Sequence, residues 1–373
     1  MKPRSGTRRQ PNRLRDGNKM KKSIDPYIAL ALQSTCHAVN RLKSREQVRQ
    51  RMAQTISGLA GQIRGSKGFI SSFSGLNTRL VVLPEYFLTG FPMGETVEEW
   101  SKKACIEIDG PEYVALGQIC QDNDIYLSGN VYELDENFPG IYFQVSFIID
   151  PAGQVILRYR RLISMFAPTP HDVLDRYLAI YGEESLFPVV DTEIGRLAAV
   201  ASEEILYPEI TRALVLRGAE VICHSSSEVG SPLATPKNIA KQARAYENMV
   251  YVVSANSAGI ADIVFPKAST DGGSKVVDFH GNILAEADSG ESMCGNAEVD
   301  ISALRSARQR PGMSNILSRQ RLELFQSTYS KFDVYPANNL QGDDGVIVPD
   351  REHFIATQQR VIEKLIRKGF LAL

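Results

Sequence analysis

Two polar clusters stand directly behind apolar runs in the second half of the chain: Ser202-Glu203-Glu204 after residues 197–201, and His224-Ser225 after residues 220–223. Between them a helical stretch, residues 209–217, stops at Gly218. The pattern is a strand, helix, strand unit, in which groups at the carboxyl ends of the strands line the ligand crevice. Ser202 is a candidate nucleophile if a base stands beside it. Glu203 and Glu204 are placed to hold the turn through backbone N–H groups, and His224 to assist Ser202 or to bind substrate. Cys223 is the nearest thiol by topology, either a second candidate nucleophile or a buried structural cysteine. Glu209, in the first helical turn, is a cap first and a site residue second. Residues 225–228 rim a pocket or form a solvated turn.

Two further places complete the chemistry. Pro84-Glu85-Tyr86-Phe87 follows a short buried strand, residues 79–83. A carboxylate beside aromatics loses solvation unless it is paired, so Glu85 is either a working acid/base or a salt-bridge partner, with Tyr86 beside it. Tyr159-Arg160-Arg161 closes another strand. Asn256-Ser257-Ala258-Gly259 leaves a strand at residues 250–254 and supplies Asn256 as a supporting residue.

The elements that must position these groups alternate. Residues 27–33, 79–83, 125–132, 141–149, 155–158, 197–201, 220–223, 250–254, 275–279, 283–287 and 297–301 read as strands. Val48, Met52, Ile56, Leu59 and Ile63 recur at helical spacing behind Ser44 as cap, and residues 98–104, 111–120, 172–180 and 238–249 read as further helices. Residues 65–77 are rich in glycine and serine and predict a loop. Hairpins at 150–153 and 280–282 predict antiparallel pairing within mixed sheets, with helices outside them. Beyond residue 302 the chain turns polar and basic, breaks at Pro311-Gly312, and closes with an apolar stripe of Phe354, Val361, Ile362, Leu365 and Ile366 on a last helix.

Composition sets the bounds. The 373 residues, 43% hydrophobic, suffice for one large α/β domain or two ordinary ones. With 42 basic and 43 acidic side chains the formal charge is -1, which points to neither nucleic acid nor a membrane as partner. Five cysteines, without metal-ligand spacing, read as reduced in a cytoplasmic protein. Residues 1–24 read as a disordered basic arm, residues 25–301 as the main domain and 302–373 as an extension that docks on the domain or on a partner subunit. No dinucleotide fingerprint, phosphate loop or metal ligand set implies a cofactor.

Taken in order, these pieces resemble the nitrilase superfamily of carbon-nitrogen hydrolases over roughly residues 25–300. Leu83-Pro84-Glu85-Tyr86 matches its first signature and Tyr159-Arg160-Arg161 its second. Ser202 through Glu209, with Arg212-Ala213-Leu214 and Arg217-Gly218-Ala219, match the third; Tyr246-Glu247-Asn248 and Gly273-Ser274 also fit. The resemblance implies a four-layer α-β-β-α sandwich with mixed sheets, subunits that pair into homo-oligomers, and a site in which a cysteine attacks, a glutamate shuttles the proton and a lysine stabilises the tetrahedral intermediate. Here Ser202 stands at the cysteine position and Arg161 at the lysine position, while Glu85 is kept; by that position Arg161, which releases no proton, is implied to stabilise an oxyanion by fixed charge, or to clamp Glu85 or a substrate carboxylate with its fork. Two functions stay open: a hydrolase of a small amide or nitrile using Glu85, Arg161 and Ser202, or a catalytically silent relative that binds a small molecule or serves in assembly.

Overall fold

The computed structural model describes residues 24–228, 235–342 and 345–372. The basic arm, but for its last residue, lies outside them. The first half of the chain forms β1 (Tyr27–Ala31), β2 (Cys36–His37), α1 (Arg45–Ser74), β3 (Thr78–Val82), α2 (Val97–Ala104), α3 (Pro111–Asn123), β4 (Tyr126–Leu134), β5 (Tyr142–Ile149) and β6 (Val155–Arg160). The second forms α4 (Leu174–Tyr181), β7 (Val190–Thr192), β8 (Gly195–Ala201), α5 (Pro208–Leu216), β9 (Val221–Ser225), α6 (Pro236–Asn248) and β10 (Tyr251–Ala255). There follow β11 (Ile260–Ala261), β12 (Lys275–Val277), β13 (Ile283–Glu286), β14 (Asn296–Val299), α7 (Ile301–Gln309), α8 (Glu323–Tyr329) and α9 (Arg351–Arg367).

Two six-stranded sheets, ordered β14-β1-β3-β4-β5-β6 and β13-β12-β10-β9-β8-β7, stack face to face. Each has a parallel centre, β1-β3-β4 in one and β8-β9-β10 in the other, with antiparallel strands outside it, so both sheets are mixed as expected. The period-two pleat explains the layering. In β1, Ile28 and Leu30 join the core under α1 and α3, while Tyr27, Ala29 and Ala31 join the core shared with the second sheet. α1, α2 and α3 cover the first sheet and α5 and α6 the second, which completes the four-layer α-β-β-α sandwich.

One expected loop is helix. α1 runs through residues 65–74 because Ile63, Ser66 and Ile70 continue its buried stripe, and it ends only at Gly75, which takes the left-handed C-cap with φ 74°. Each helical glycine costs about 1 kcal/mol relative to alanine; burial of the stripe outweighs that. Ser44 and Gln47 form a capping box at the other end. Residues 301–309 are likewise helical, capped by Asp300 and anchored by Ile301 and Leu304, so the strand before them ends at Val299.

The extension lies against the 166–188 connection. Asn338 and Leu340 donate backbone N–H groups to the carbonyls of His171 and Asp172 at 3.0 and 2.9 Å, and the Arg351 guanidinium sits 4.8 Å over the Phe166 ring. Of the α9 stripe only Phe354 is fully buried; Ile362 stays half-exposed.

Candidate active site

β8 delivers Ser202 onto a 3-10 turn, Ser202–Leu206, with φ 46°. A non-glycine residue in the left-handed region is strained by about 1 kcal/mol or more, so the surrounding contacts must over-determine it. Two of them are explicit. The Ser202 carbonyl accepts a hydrogen bond from His224 Nε2 at 2.8 Å, and its Oγ accepts one from Lys237 Nζ at 3.1 Å. His224 therefore reaches Ser202 through the main chain and not through the hydroxyl. Since a carbonyl only accepts, Nε2 carries the proton and Nδ1 accepts from Ser254 Oγ at 2.9 Å. Burial, reinforced by the Lys241 charge, pushes the His224 pKa down to about 3, which keeps the ring neutral and makes it a clamp on the turn, not a base.

β3 delivers Glu85 and β6 delivers Arg161. Gln144, on β5, stands between them: its Nε2 donates to Glu85 Oε1 at 2.8 Å and its Oε1 accepts from Arg161 Nη1 at 2.6 Å. The direct Arg161–Glu85 approach is 3.6 Å. Gln144 is itself held by Asn130 on β4 at 2.9 Å. The Arg161 Nη2 group pairs with Glu203, and its Nε donates to the Ile163 carbonyl at 2.7 Å. Glu204 Oε1 accepts the backbone N–H groups of Leu162 and Ile163 at 2.8 and 3.0 Å. Glu203 and Glu204 thus tie the turn after β8 to the segment after β6, whereas the expectation was that they would hold their own turn. Burial pushes the Glu204 pKa up to about 7 against the Arg161 charge and the two N–H groups. Tyr86, also at positive φ, stacks on Tyr132 with centroids 5.6 Å apart beside this network.

The two sheets are stitched together at this edge. Glu85 N–H donates to the Ser226 carbonyl at 3.1 Å, and Ser225 Oγ donates to the Leu83 carbonyl at 2.8 Å. Behind them Glu228 pairs with the fully buried Lys241 and accepts the Thr235 hydroxyl. Burial pushes the Lys241 pKa down to about 8 while Glu228 pulls it back up. Asn256 accepts the Glu228 N–H at 2.9 Å and donates to the Thr270 and Gly272 carbonyls. It acts as a brace for the Glu228 segment, not as a group turned toward a ligand.

One expectation is corrected. Glu209 is exposed at the start of α5 and accepts the Tyr329 hydroxyl at 2.9 Å, apart from the Glu85–Arg161–Ser202 cluster. Of the two readings of Cys223, the ordinary one fits: it is fully buried and burial pushes its thiol up to about 12, as for a structural cysteine. Gln144, Lys237 and Lys241 do not stand out in the sequence. A glutamine inside the apolar run of residues 141–149 is the available signal for the first. The i, i+4 spacing of the two lysines is the signal for the others, but it is shared with any solvated helix face. Among the described residues no group of three or more His, Cys, Asp and Glu side chains is placed to hold a metal ion, and no helix is long and apolar enough to cross a membrane.

Residues 36–309 match the family model for carbon-nitrogen hydrolases. The chain is similar to a formamidase of Pseudomonas syringae pv. tomato, 29% identical over 239 residues that cover 63% of this chain and 64% of the relative. It is also similar to a formamidase of Bacillus cereus, 25% identical over 300 residues, 79% of this chain and 80% of the relative. Among solved structures, Nit3 of Saccharomyces cerevisiae, a member of the nitrilase superfamily, superposes with a TM-score of 0.57 at 20% identity, covering 76% of this chain and 93% of its own. A carbon-nitrogen hydrolase from Helicobacter pylori does so with a TM-score of 0.57 at 18% identity, covering 81% and 98%.

Proposed function

The chain belongs to the carbon-nitrogen hydrolase family, and from that premise we propose that it hydrolyses the C–N bond of a small amide, with Ser202 as nucleophile, Glu85 as acid/base and Arg161 as the fixed charge beside them. The observation that carries this reading is the convergence of three strand ends on one network. Glu85 after β3 and Arg161 after β6 share Gln144, and Arg161 is paired with Glu203, the residue next to Ser202 on the turn after β8. Glu85 takes the Ser202 proton as Oγ attacks the carbonyl carbon and returns it to the departing nitrogen; water then releases the acyl group. The formamidase relatives favour a short, neutral amide. An alcohol is a weaker nucleophile than a thiolate near neutral pH, so turnover is slow relative to a cysteine enzyme.

One observation favours the silent alternative, in which the pocket binds a small molecule or serves assembly. Three N–H groups of Arg161 are already engaged by Gln144, Glu203 and the Ile163 carbonyl, which limits what it can offer an oxyanion. Ammonia release from a panel of small amides, formamide included, by the unmodified chain and by Ser202→Ala separates the two. Turnover lost in the variant supports the hydrolase; equal turnover in both removes Ser202 from the mechanism. Binding without turnover, lost in Glu85→Gln, supports the silent pocket. A homo-oligomer built with the half-exposed α9 stripe belongs to the same proposal, and a single 41 kDa species in sedimentation counts against it.

A further inference from the structure

Lys237 is half-buried and makes no ion pair within 4 Å among the described residues, though Glu228 lies near enough to feel its charge. Its one side-chain hydrogen bond there is the 3.1 Å donation to Ser202 Oγ. The other cations around it are paired: Arg161 with Glu203 and, at 3.6 Å, Glu85, and Lys241 with Glu228. The geometry that holds Lys237 is rigid. It opens α6, and Arg244 on the same helix donates from Nε and Nη2 to the carbonyls of Ile205 and Leu206, at 2.9 and 3.0 Å, at the end of the turn that begins with Ser202. Lys241, one turn along from Lys237, is locked to Glu228. The helix carrying the ammonium and the turn carrying the hydroxyl are therefore bolted together by contacts that involve neither reacting group.

We propose that Lys237 is a catalytic residue that supplies the positive charge at Ser202 Oγ, so that the serine is matched to a lysine on α6 instead of one at the end of β6. This rests on the reading of Ser202 as nucleophile. An ammonium donating to a hydroxyl oxygen stabilises the negative charge that develops there as the proton leaves. A thiolate needs such help far less than an alkoxide does. In the step, the Oγ–H proton goes to the Glu85 carboxylate, the Oγ–C bond forms and the carbonyl π pair moves onto the carbonyl oxygen. Collapse of that intermediate breaks the C–N bond, and the nitrogen leaves with the Glu85 proton. Lys237 keeps its own protons throughout. Arg161 cannot take this place, since three of its N–H groups are tied to fixed partners.

The test follows acylation-type reactivity at Ser202 rather than turnover. The full chain is treated with a fluorophosphonate, and the rate of adduct formation at Ser202 is read by intact mass and peptide mapping. In Lys237→Met the rate is expected to fall on the order of 100-fold, as for loss of a preorganised donor at a developing oxyanion. Lys237→Gln, which keeps a donor without charge, is expected to fall at least about tenfold on the same principle, and it decides the matter should the methionine variant not fold. Partial restoration of Lys237→Ala by methylamine is a readout that a merely structural lysine would not produce. Labelling of Ser202 at the unmodified rate in Lys237→Met or Lys237→Gln overturns the inference and leaves Ser202 as nucleophile standing. Failure of the unmodified chain to label at Ser202 overturns the nucleophile reading and the inference with it.

Discussion

Arg161 and Glu85 face each other at 3.6 Å, and Gln144 fills the gap by donating to one and accepting from the other. A guanidinium–carboxylate pair at full contact would hold the carboxylate ionised and weaken it as a base. The interposed amide keeps the charge close while fixing one Glu85 oxygen, so it orients the acid/base group as well as the cation.

Gln144→Leu leaves Glu85, Arg161 and Asn130 each short of a buried partner. Unsatisfied buried groups cost about 1–3 kcal/mol each, more when charged. The expected outcome is a lower melting temperature together with a loss of amide turnover of tenfold or more, whereas Gln144→Glu, by placing a second carboxylate beside Glu85, should lower turnover further. Calorimetry and initial rates check both; a Gln144→Leu chain of unchanged stability and rate would show that the bridge is dispensable.

Glu204 makes stability depend on pH in an unusual direction. Its pKa is about 7 in the folded chain against an ordinary 4.5, so between those values the folded state binds a proton that the unfolded state does not. Stability from this group therefore declines as pH rises from 4.5 to 7, by an amount on the order of 3 kcal/mol, and is flat above that. Glu204→Gln keeps an acceptor for the Leu162 and Ile163 N–H groups and carries no charge. Urea denaturation from pH 5 to 8 should show the variant gaining on the unmodified chain as pH rises.

His224 works the other way. Its pKa is lowered from 6.5 to about 3, so the unfolded state takes up a proton that the folded state refuses. Stability is full above pH 6.5 and falls as pH drops toward 3, by roughly 5 kcal/mol at the limit. From 4.5 to 6.5 the two groups cancel, one proton against the other, and their effects emerge only outside that window or in single variants. His224→Gln should flatten the acid limb below pH 4.5 while leaving the decline near pH 7 in place. An acid limb unchanged in His224→Gln would assign it to other groups.

How much of the site is legible in the sequence differs by residue, and the reason is where each signal lives. Glu85, Arg161 and Ser202 follow buried strands in short local patterns; the resemblance to the nitrilase superfamily, and not spacing alone, implies the sandwich and the grouping of these three, which lie at the ends of strands from two different sheets. Gln144 is visible only as a polar residue in an apolar strand. Lys237 gives no such sign, because a lysine at the start of a helix looks solvated until tertiary packing turns it inward. The role of Glu209 is overdrawn in the sequence for the converse reason: its neighbours along the chain form the site, but the first turn of α5 carries it to the surface. The continuation of α1 through residues 65–74 escapes the sequence because glycine content argues locally for a loop, while the stripe through Ile63, Ser66 and Ile70 decides the matter over a longer range.

The two exchanged positions can be tested together. Ser202→Cys places a thiol on the same strained turn, beside the Lys237 ammonium at the Oγ position, and a neighbouring cation lowers a thiol's pKa. Iodoacetamide should modify this cysteine faster than the exposed Cys294, and small amides should be turned over at least about tenfold faster than by the unmodified chain, in line with the gain from an activated nucleophile. Adding Arg161→Lys is expected to be harmful here. A single ammonium cannot keep the Gln144, Glu203 and Ile163 contacts at once, so the double variant should lose about 1–3 kcal/mol of stability and should not exceed the rate of Ser202→Cys. Peptide mapping of the alkylated chain, ammonia release and thermal melting of the four combinations measure all of this. A Ser202→Cys chain that alkylates no faster than Cys294 and turns over no amide would show that the pocket around residue 202 no longer supports a nucleophile, and would favour the silent relative over the hydrolase. A double variant that outpaces Ser202→Cys would instead show that the guanidinium of Arg161, despite its three anchors, is what limits the chemistry.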